Sequence, residues 1–136
     1  MQKILILGAG KSSTYLISYL LSIAKERDYF VTVCDKSKEA AERAIKNNPF
    51  GQAIEFDVND TDMRRGLIKK ADIVINMLTR QYQFQIAMDC LNARVSMLTA
   101  SYEDAKIHSL APDAVRKNVL ILNEMGLDPG IDHMLA

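Results

Sequence analysis

Tryptophan is absent, cysteine and histidine occur twice each, proline three times and glycine six times in 136 residues. Each scarcity removes a class of function. Cys34 and Cys90 are far apart, in apolar settings, without a CxxC pair or a histidine companion, so they read as buried, reduced thiols of a cytoplasmic protein, and no metal cluster is expected. Neither charge sign is in surplus, with 17 basic residues against 17 acidic ones. No basic stripe is interleaved with aromatics, so nothing favours nucleic acid or an anionic membrane as partner. No segment approaches the roughly 20 apolar residues that a transmembrane helix needs. The first residues enter a strand at once, which leaves no room for a signal peptide and again points to the cytoplasm. What is present is ordinary globular composition, 49% hydrophobic and 25% charged, enough for one domain with a real core. The seven methionines read as core filler.

The chain is organised around its start, where the apolar run Lys3-Ile4-Leu5-Ile6-Leu7 is closed by Gly8-Ala9-Gly10-Lys11-Ser12-Ser13. A run of this kind reads as a strand buried on both faces. Leu16, Leu20 and Ala24, with Ile17 and Leu21 beside them, then form one stripe of a helix that faces a sheet. Gly8 can take the tight turn, and Gly10 lets a diphosphate approach the main chain where a Cβ would block it. Free amides at the helix start would face that anion. Ser13 stands where a third glycine would complete the dinucleotide fingerprint, and is small enough to be tolerated. Gly10-Lys11-Ser12 also looks like the end of a triphosphate P-loop, but Leu5 occupies the position where that loop needs its first glycine.

Phe30 to Cys34 reads as a second strand ending at Asp35, about 20 residues past the glycine turn, where the dinucleotide-binding fold hydrogen-bonds the adenine ribose. A bare carboxylate there favours NAD over NADP, while Lys36 and Lys38 offer compensating charge; a solvated turn acid is the plainer reading of Asp35. Ser37 caps a helix with Ala40, Ala41, Ala44 and Ile45 inward, ended by Asn47-Asn48-Pro49. A third strand, Ala53 to Phe56, leads to Asp57-Val58-Asn59-Asp60, a polar turn that either borders the adenine or simply enters a helix whose buried face is Met63, Leu67 and Ile68. The fourth strand is Asp72 to Leu78, with Thr79, Arg80 and Gln81 flanking the cofactor. A helix with Phe84, Ala87, Met88 and Leu91 inward follows, then a fifth strand, Val95 to Thr99. Next comes a helical stretch with Ile107, Leu110, Ala111, Ala114 and Val115 on one face, kinked or broken at Pro112. Val119 to Leu122 is the sixth strand. This alternation predicts an α/β fold, a Rossmann-type doubly wound parallel sheet of about six strands in a three-layer α/β/α sandwich.

The chain ends in Asn123-Glu124-Met125-Gly126-Leu127-Asp128-Pro129-Gly130-Ile131-Asp132-His133-Met134-Leu135-Ala136, with no helix to finish the last strand. Glycines, a proline, acids and a histidine are crowded at the carboxyl end of a strand, where such sheets place function. The segment from Glu124 to His133 closely resembles the point at which saccharopine dehydrogenases (saccharopine reductases) leave their dinucleotide domain. The likeness extends to the glycine turn, to Asp57-Val58 and to Ser101-Tyr102. It implies a dinucleotide domain over residues 1–124, with residues 125–136 starting a linker to a substrate domain that this chain lacks.

The resemblance further implies an NAD(P)-dependent oxidoreductase of lysine metabolism, oxidising the secondary amine of saccharopine to glutamate and 2-aminoadipate semialdehyde. On it, Gly8, Gly10, Lys11 and Ser12 hold the diphosphate, Asp35 and Lys36 the ribose, Asp57 and Val58 the adenine side, and Leu78 the nicotinamide side. Ser101, Tyr102 and Asp128 contact the substrate, and Leu127 and Pro129 also touch the cofactor. Thr79 departs from the family's usual proline after the fourth strand. Asp128 could stabilise the developing iminium charge and His133 could move a proton, although His133 could equally cap or tether the hinge. The expected cofactor is NAD, with NADP less favoured; the expected partners are an amino-acid substrate, the missing substrate domain and a homodimer mate. A lone domain should turn over little. Two other readings stay open: a stand-alone NAD(H)-sensing module similar to the regulatory domains of potassium transporters, and a related lysine- or polyamine-pathway amino-acid dehydrogenase.

Overall fold

Ile4 to Leu7 are all buried because successive side chains of their strand face opposite ways and both faces are covered. The computed structural model describes residues 1–99 and 105–122. Its strands are β1 (Gln2–Leu7), β2 (Tyr29–Asp35), β3 (Gly51–Glu55), β4 (Ile73–Asn76), β5 (Ser96–Thr99) and β6 (Ile121–Leu122). They form one sheet in the order β3-β2-β1-β4-β5-β6, every pairing parallel. The helices are α1 (Lys11–Arg27), α2 (Lys38–Ile45), α3 (Thr61–Lys69), α4 (Gln83–Ala93), α5 (Ala105–His108) and α6 (Ala111–Lys117).

The two sheet faces carry separate cores. Ile4, Ile6, Val31, Val33 and Ile75 pack against Leu16, Ile17, Leu20 and Ala24 of α1 and Ala41, Ala44 and Ile45 of α2. On the other face Leu5, Leu7, Cys34, Val74 and Met97 meet Ile68 of α3, Ile86, Cys90 and Leu91 of α4, and Ala114 of α6. Burying each such aliphatic side chain contributes about 1.5–3 kcal/mol. The three layers are those the alternating pattern predicts. No helix among the described residues is long and apolar enough to cross a membrane.

Several helix ends use ordinary side chains in place of glycine. α1, α2, α4 and α6 stop at Asp28, Lys46, Arg94 and Asn118, all left-handed with φ between 54° and 60°, which is how a chain poor in glycine still turns its helices off. Ser37 caps α2, its Oγ accepting from the Ala40 amide at 3.2 Å. Pro112 lies in the first turn of α6, and the expected break appears between α5 and α6. Three expected inward residues face out instead: Met88 is 36% and Val115 81% exposed, and Ala111 is exposed as well. The inward face of α4 is rotated toward Gln83, Ile86 and Cys90, and α6 is too short for more than Ala114 to reach the core.

Candidate dinucleotide site

β1 lies between β2 and β4, so the chain's two windings diverge beyond its carboxyl end, and an open crevice is left there. Gly8 closes the strand by donating to the Cys34 carbonyl at 2.7 Å. Its φ is +108°, and an added Cβ would stand 3.2 Å from the backbone carbon and oxygen of Met77. Glycine is therefore required at this position by the protein itself. Gly10 is different. It is the N-cap of α1 with φ −75° and ψ −177°, a conformation open to any residue, and an added Cβ would meet nothing within 4 Å. The amides of Gly10, Lys11 and Ser12 donate to no acceptor among the described residues. An open floor beneath three unpaired donors at the positive end of a 17-residue helix suits a diphosphate. Ser13 is buried where the fingerprint has its third glycine, its hydroxyl donating to the Gly10 carbonyl at 2.9 Å.

Asp35 ties the crevice together. Its Oδ1 accepts the Ala9 amide at 2.9 Å and its Oδ2 the Ser37 amide at 2.8 Å, so the acid fixes the glycine turn to the start of α2. Each carboxylate oxygen keeps a further lone pair for a ribose hydroxyl. It is thus not the purely solvated turn acid of the plainer reading. Lys36 is exposed beside it.

Asp35, Lys36, Phe56, Asp57, Val58, Asn59, Leu78 and Tyr82 line one cavity of about 150 Å³, comparable to cavities that admit a single aromatic ring. Five of these, Asp35, Lys36, Asp57, Val58 and Leu78, are among the residues the sequence singles out, and the fold brings them together. In the turn after β3, Asp60 caps α3 by accepting the Met63 amide at 3.1 Å, as a helix entry does, while Asp57 and Val58 line the cavity. From the stretch after β4, Leu78 and Tyr82 line it, whereas Thr79, Arg80 and Gln81 do not. Ser101, Tyr102, Leu127, Asp128, Pro129 and His133 lie outside the described residues, as does the whole proposed linker, 125–136.

Three features escaped the sequence reading. Phe56 and Tyr82 join the cavity wall. Asn76, fully buried at the end of β4, accepts the Leu78 amide on Oδ1 at 3.0 Å, and its Nδ2 reaches the Thr99 hydroxyl at 3.4 Å. A buried pair, Arg64 of α3 and Asp89 of α4, joins those helices. A charged residue on an otherwise apolar inward stripe was the available signal, since Arg64 stands one turn from Ile68 and Asp89 adjoins Cys90. Burial pushes the Cys34 thiol up to about 12; Cys90 is raised by burial and by the neighbouring Asp89 charge.

Residues 4–122 match the family described as saccharopine dehydrogenase NADP binding domain. The chain belongs to this family. Among its curated relatives, saccharopine dehydrogenase [NADP(+), L-glutamate-forming] of Schizosaccharomyces pombe is 29% identical over all of this chain and 30% of its own length. Alpha-aminoadipic semialdehyde synthase of Arabidopsis thaliana is 28% identical over 98% of this chain and 14% of its own length. The solved apo saccharopine dehydrogenase (L-Glu forming) of Saccharomyces cerevisiae superimposes with a TM-score of 0.84 at 27% identity, over 98% of this chain and 29% of that one. This saccharopine dehydrogenase-family chain therefore spans less than a third of the relatives' length. Its relatives are oxidoreductases, and what they support is a nicotinamide dinucleotide. The expectation that NAD is the primary cofactor finds no support in them, since the family description and the Schizosaccharomyces pombe relative name NADP.

Proposed function

We propose that this chain is the dinucleotide domain of a saccharopine dehydrogenase-like enzyme. The observation that carries the reading is the floor at Gly10, open beneath the amides of Gly10, Lys11 and Ser12, which donate to no acceptor among the described residues, in a member of this family. Those amides bind the diphosphate. Asp35 accepts the hydroxyls of the adenine ribose, and Lys36 lies beside it. In the cavity, the Asp57 carboxylate and the Val58 amide present an acceptor and a donor to the adenine edge, and Leu78, held by Asn76, lines the same cavity and so packs on the adenine side, not on the nicotinamide side that the resemblance implies. When bound, the nicotinamide supplies the acceptor for a hydride taken from the carbon beside the secondary amine of saccharopine, which leads to glutamate and 2-aminoadipate semialdehyde. The domain's task is to hold the dinucleotide in place for that transfer. Most substrate contacts are expected from the part of the relatives' length that this chain does not span, so the chain alone turns over little.

On the form of the cofactor we propose NAD as the better ligand, with NADP accepted. The Asp35 carboxylate, fixed by two amides, repels a 2′-phosphate, and the exposed Lys36 offsets part of that repulsion. The names of the relatives speak for the other order, which makes the comparison of the two nucleotides the decisive one. Calorimetric titration with NADH and NADPH tests both levels. Binding of either supports the dinucleotide domain, tighter NADH supports the role given to Asp35, and tighter NADPH removes that role. Binding of neither overturns the functional reading.

A further inference from the structure

We propose that the buried Arg64–Asp89 pair is a positioning device for adenine recognition, holding the Val58 peptide so that its amide and the Asp57 carboxylate read the purine edge. This rests on the dinucleotide reading above and adds to it the residues that set its base selectivity.

The pair is costly to bury. The side chains of Arg64 and Asp89 are 7% and 4% exposed, with Nε donating to Oδ2 at 2.5 Å. Arg65 reaches Oδ1 of the same carboxylate at 3.2 Å from the solvent side. Two ions taken out of water regain through mutual attraction little more than they lose, and well-packed apolar side chains of similar volume would join α3 to α4 as well. What apolar side chains cannot do is bind main chain. The Arg64 Nη1 donates to the Val58 carbonyl at 2.7 Å, so the guanidinium fork spans α4 and the turn after β3.

The rest of that turn is pinned as well. Asp57 Oδ1 accepts the Asn59 amide at 2.9 Å, the Asp57 carbonyl accepts the Asp60 amide at 2.9 Å, and Asp60 caps α3. Within this network the Val58 amide is left over, with no acceptor among the described residues. Its residue lines the same cavity as Asp57. A fixed donor next to a fixed carboxylate acceptor complements adenine, whose N1 accepts and whose 6-amino group donates. Hypoxanthine presents the reverse, a donor at N1 and an acceptor at O6, and meets a mismatch at both points. Arg64 touches no part of the nucleotide on this account and acts only through Val58.

The test compares binding of NADH with that of its deaminated analogue, nicotinamide hypoxanthine dinucleotide, by calorimetry alongside thermal unfolding. The wild-type chain is expected to prefer NADH by roughly tenfold or more, as sites that hydrogen-bond a ligand reject analogues that reverse the pattern. In the double variant Arg64→Met/Asp89→Leu the pair is replaced by apolar side chains. It is expected to unfold cooperatively with the preference reduced to about threefold or less. Should it fail to fold, Arg64→Lys keeps the charge facing Asp89 but lacks the fork that spans to Val58, and is expected to lose the preference likewise. A folded variant that discriminates like wild type makes the pair merely structural and overturns the proposal. So does a wild-type chain that binds both dinucleotides equally, which leaves the dinucleotide reading standing. Binding of neither by wild type overturns both.

Discussion

Gly8 and Gly10 are two residues apart and chemically identical, yet the structure assigns them opposite reasons for being glycine, and replacing each by alanine separates those reasons. At Gly8 the backbone is at φ +108° and a Cβ would press on the Met77 carbonyl from 3.2 Å. Neither the dihedral nor the β4 backbone can yield cheaply, so Gly8→Ala should cost about 1–3 kcal/mol of stability from strain alone. At Gly10 the extended backbone suits alanine and the space is empty. The loss of unfolded-state entropy favours alanine by about 0.4–1 kcal/mol, and the poorer N-cap opposes it by about 0.5–1 kcal/mol. The two nearly cancel, leaving the melting midpoint within roughly 4 °C of wild type. Binding should respond in the other order. A methyl group on that floor lifts the diphosphate off the amides of Gly10, Lys11 and Ser12. Each hydrogen bond lost to a charged group costs about 1.5–3 kcal/mol, so Gly10→Ala should weaken dinucleotide binding by about tenfold to a hundredfold. Thermal melts and calorimetric titration of both variants read the two quantities separately. A Gly10→Ala protein that melts early, or that binds like wild type, refutes the assignment of this residue to the ligand.

Other substitutions and conditions probe the remaining parts. Asp35→Asn removes the charge while keeping an oxygen for the Ala9 amide, and should shift the ratio of NADPH to NADH affinity upward by about tenfold; an unchanged ratio would show that the carboxylate does not face the 2′-position. Burial pushes the Cys34 thiol up to about 12 from its ordinary value of 9.0, so between those values the unfolded chain gives up a proton that the folded chain keeps. Stability is then full below about pH 9 and declines as pH rises through the window, and in Cys34→Ala the decline should be shallower; equal slopes in urea titrations across pH 8–11 would contradict it. Leu20→Ala, at a fully buried site of α1, should cost about 2–5 kcal/mol. Met88→Ala and Val115→Ala should stay within about 0.5 kcal/mol, and urea midpoints that fell equally for all of them would restore the inward reading of α4 and α6.

The sequence carried those features whose cause is local or periodic. The β1 run, the glycine turn and the Leu16/Leu20/Ala24 stripe are dictated by burial and backbone geometry over a few neighbouring residues, and all reappear in the fold. Ser37 as a cap and the break at Pro112 are equally local. The errors on Met88 and Val115 arose because hydropathy marks what can be buried, and a helix as short as α6 has little face to bury. What periodicity could not disclose is polar: Asp35 serving two amides, Asn76 holding the Leu78 amide, and Arg64 spanning from Asp89 to Val58. Asp35 and Arg64 join segments distant in sequence while Asn76 reaches only two residues on, and each satisfies a main-chain group that a string of residue types does not reveal. The same three side chains hold loops at the crevice end of the sheet. Similar polar tethers close turns at the opposite end of the sheet, where Asp72 takes the Lys3 amide, Asn48 the Phe50 amide and Ser96 the Leu120 amide, so they mark where the chain turns, and it is the open floor at Gly10 that marks the crevice as a place for a ligand.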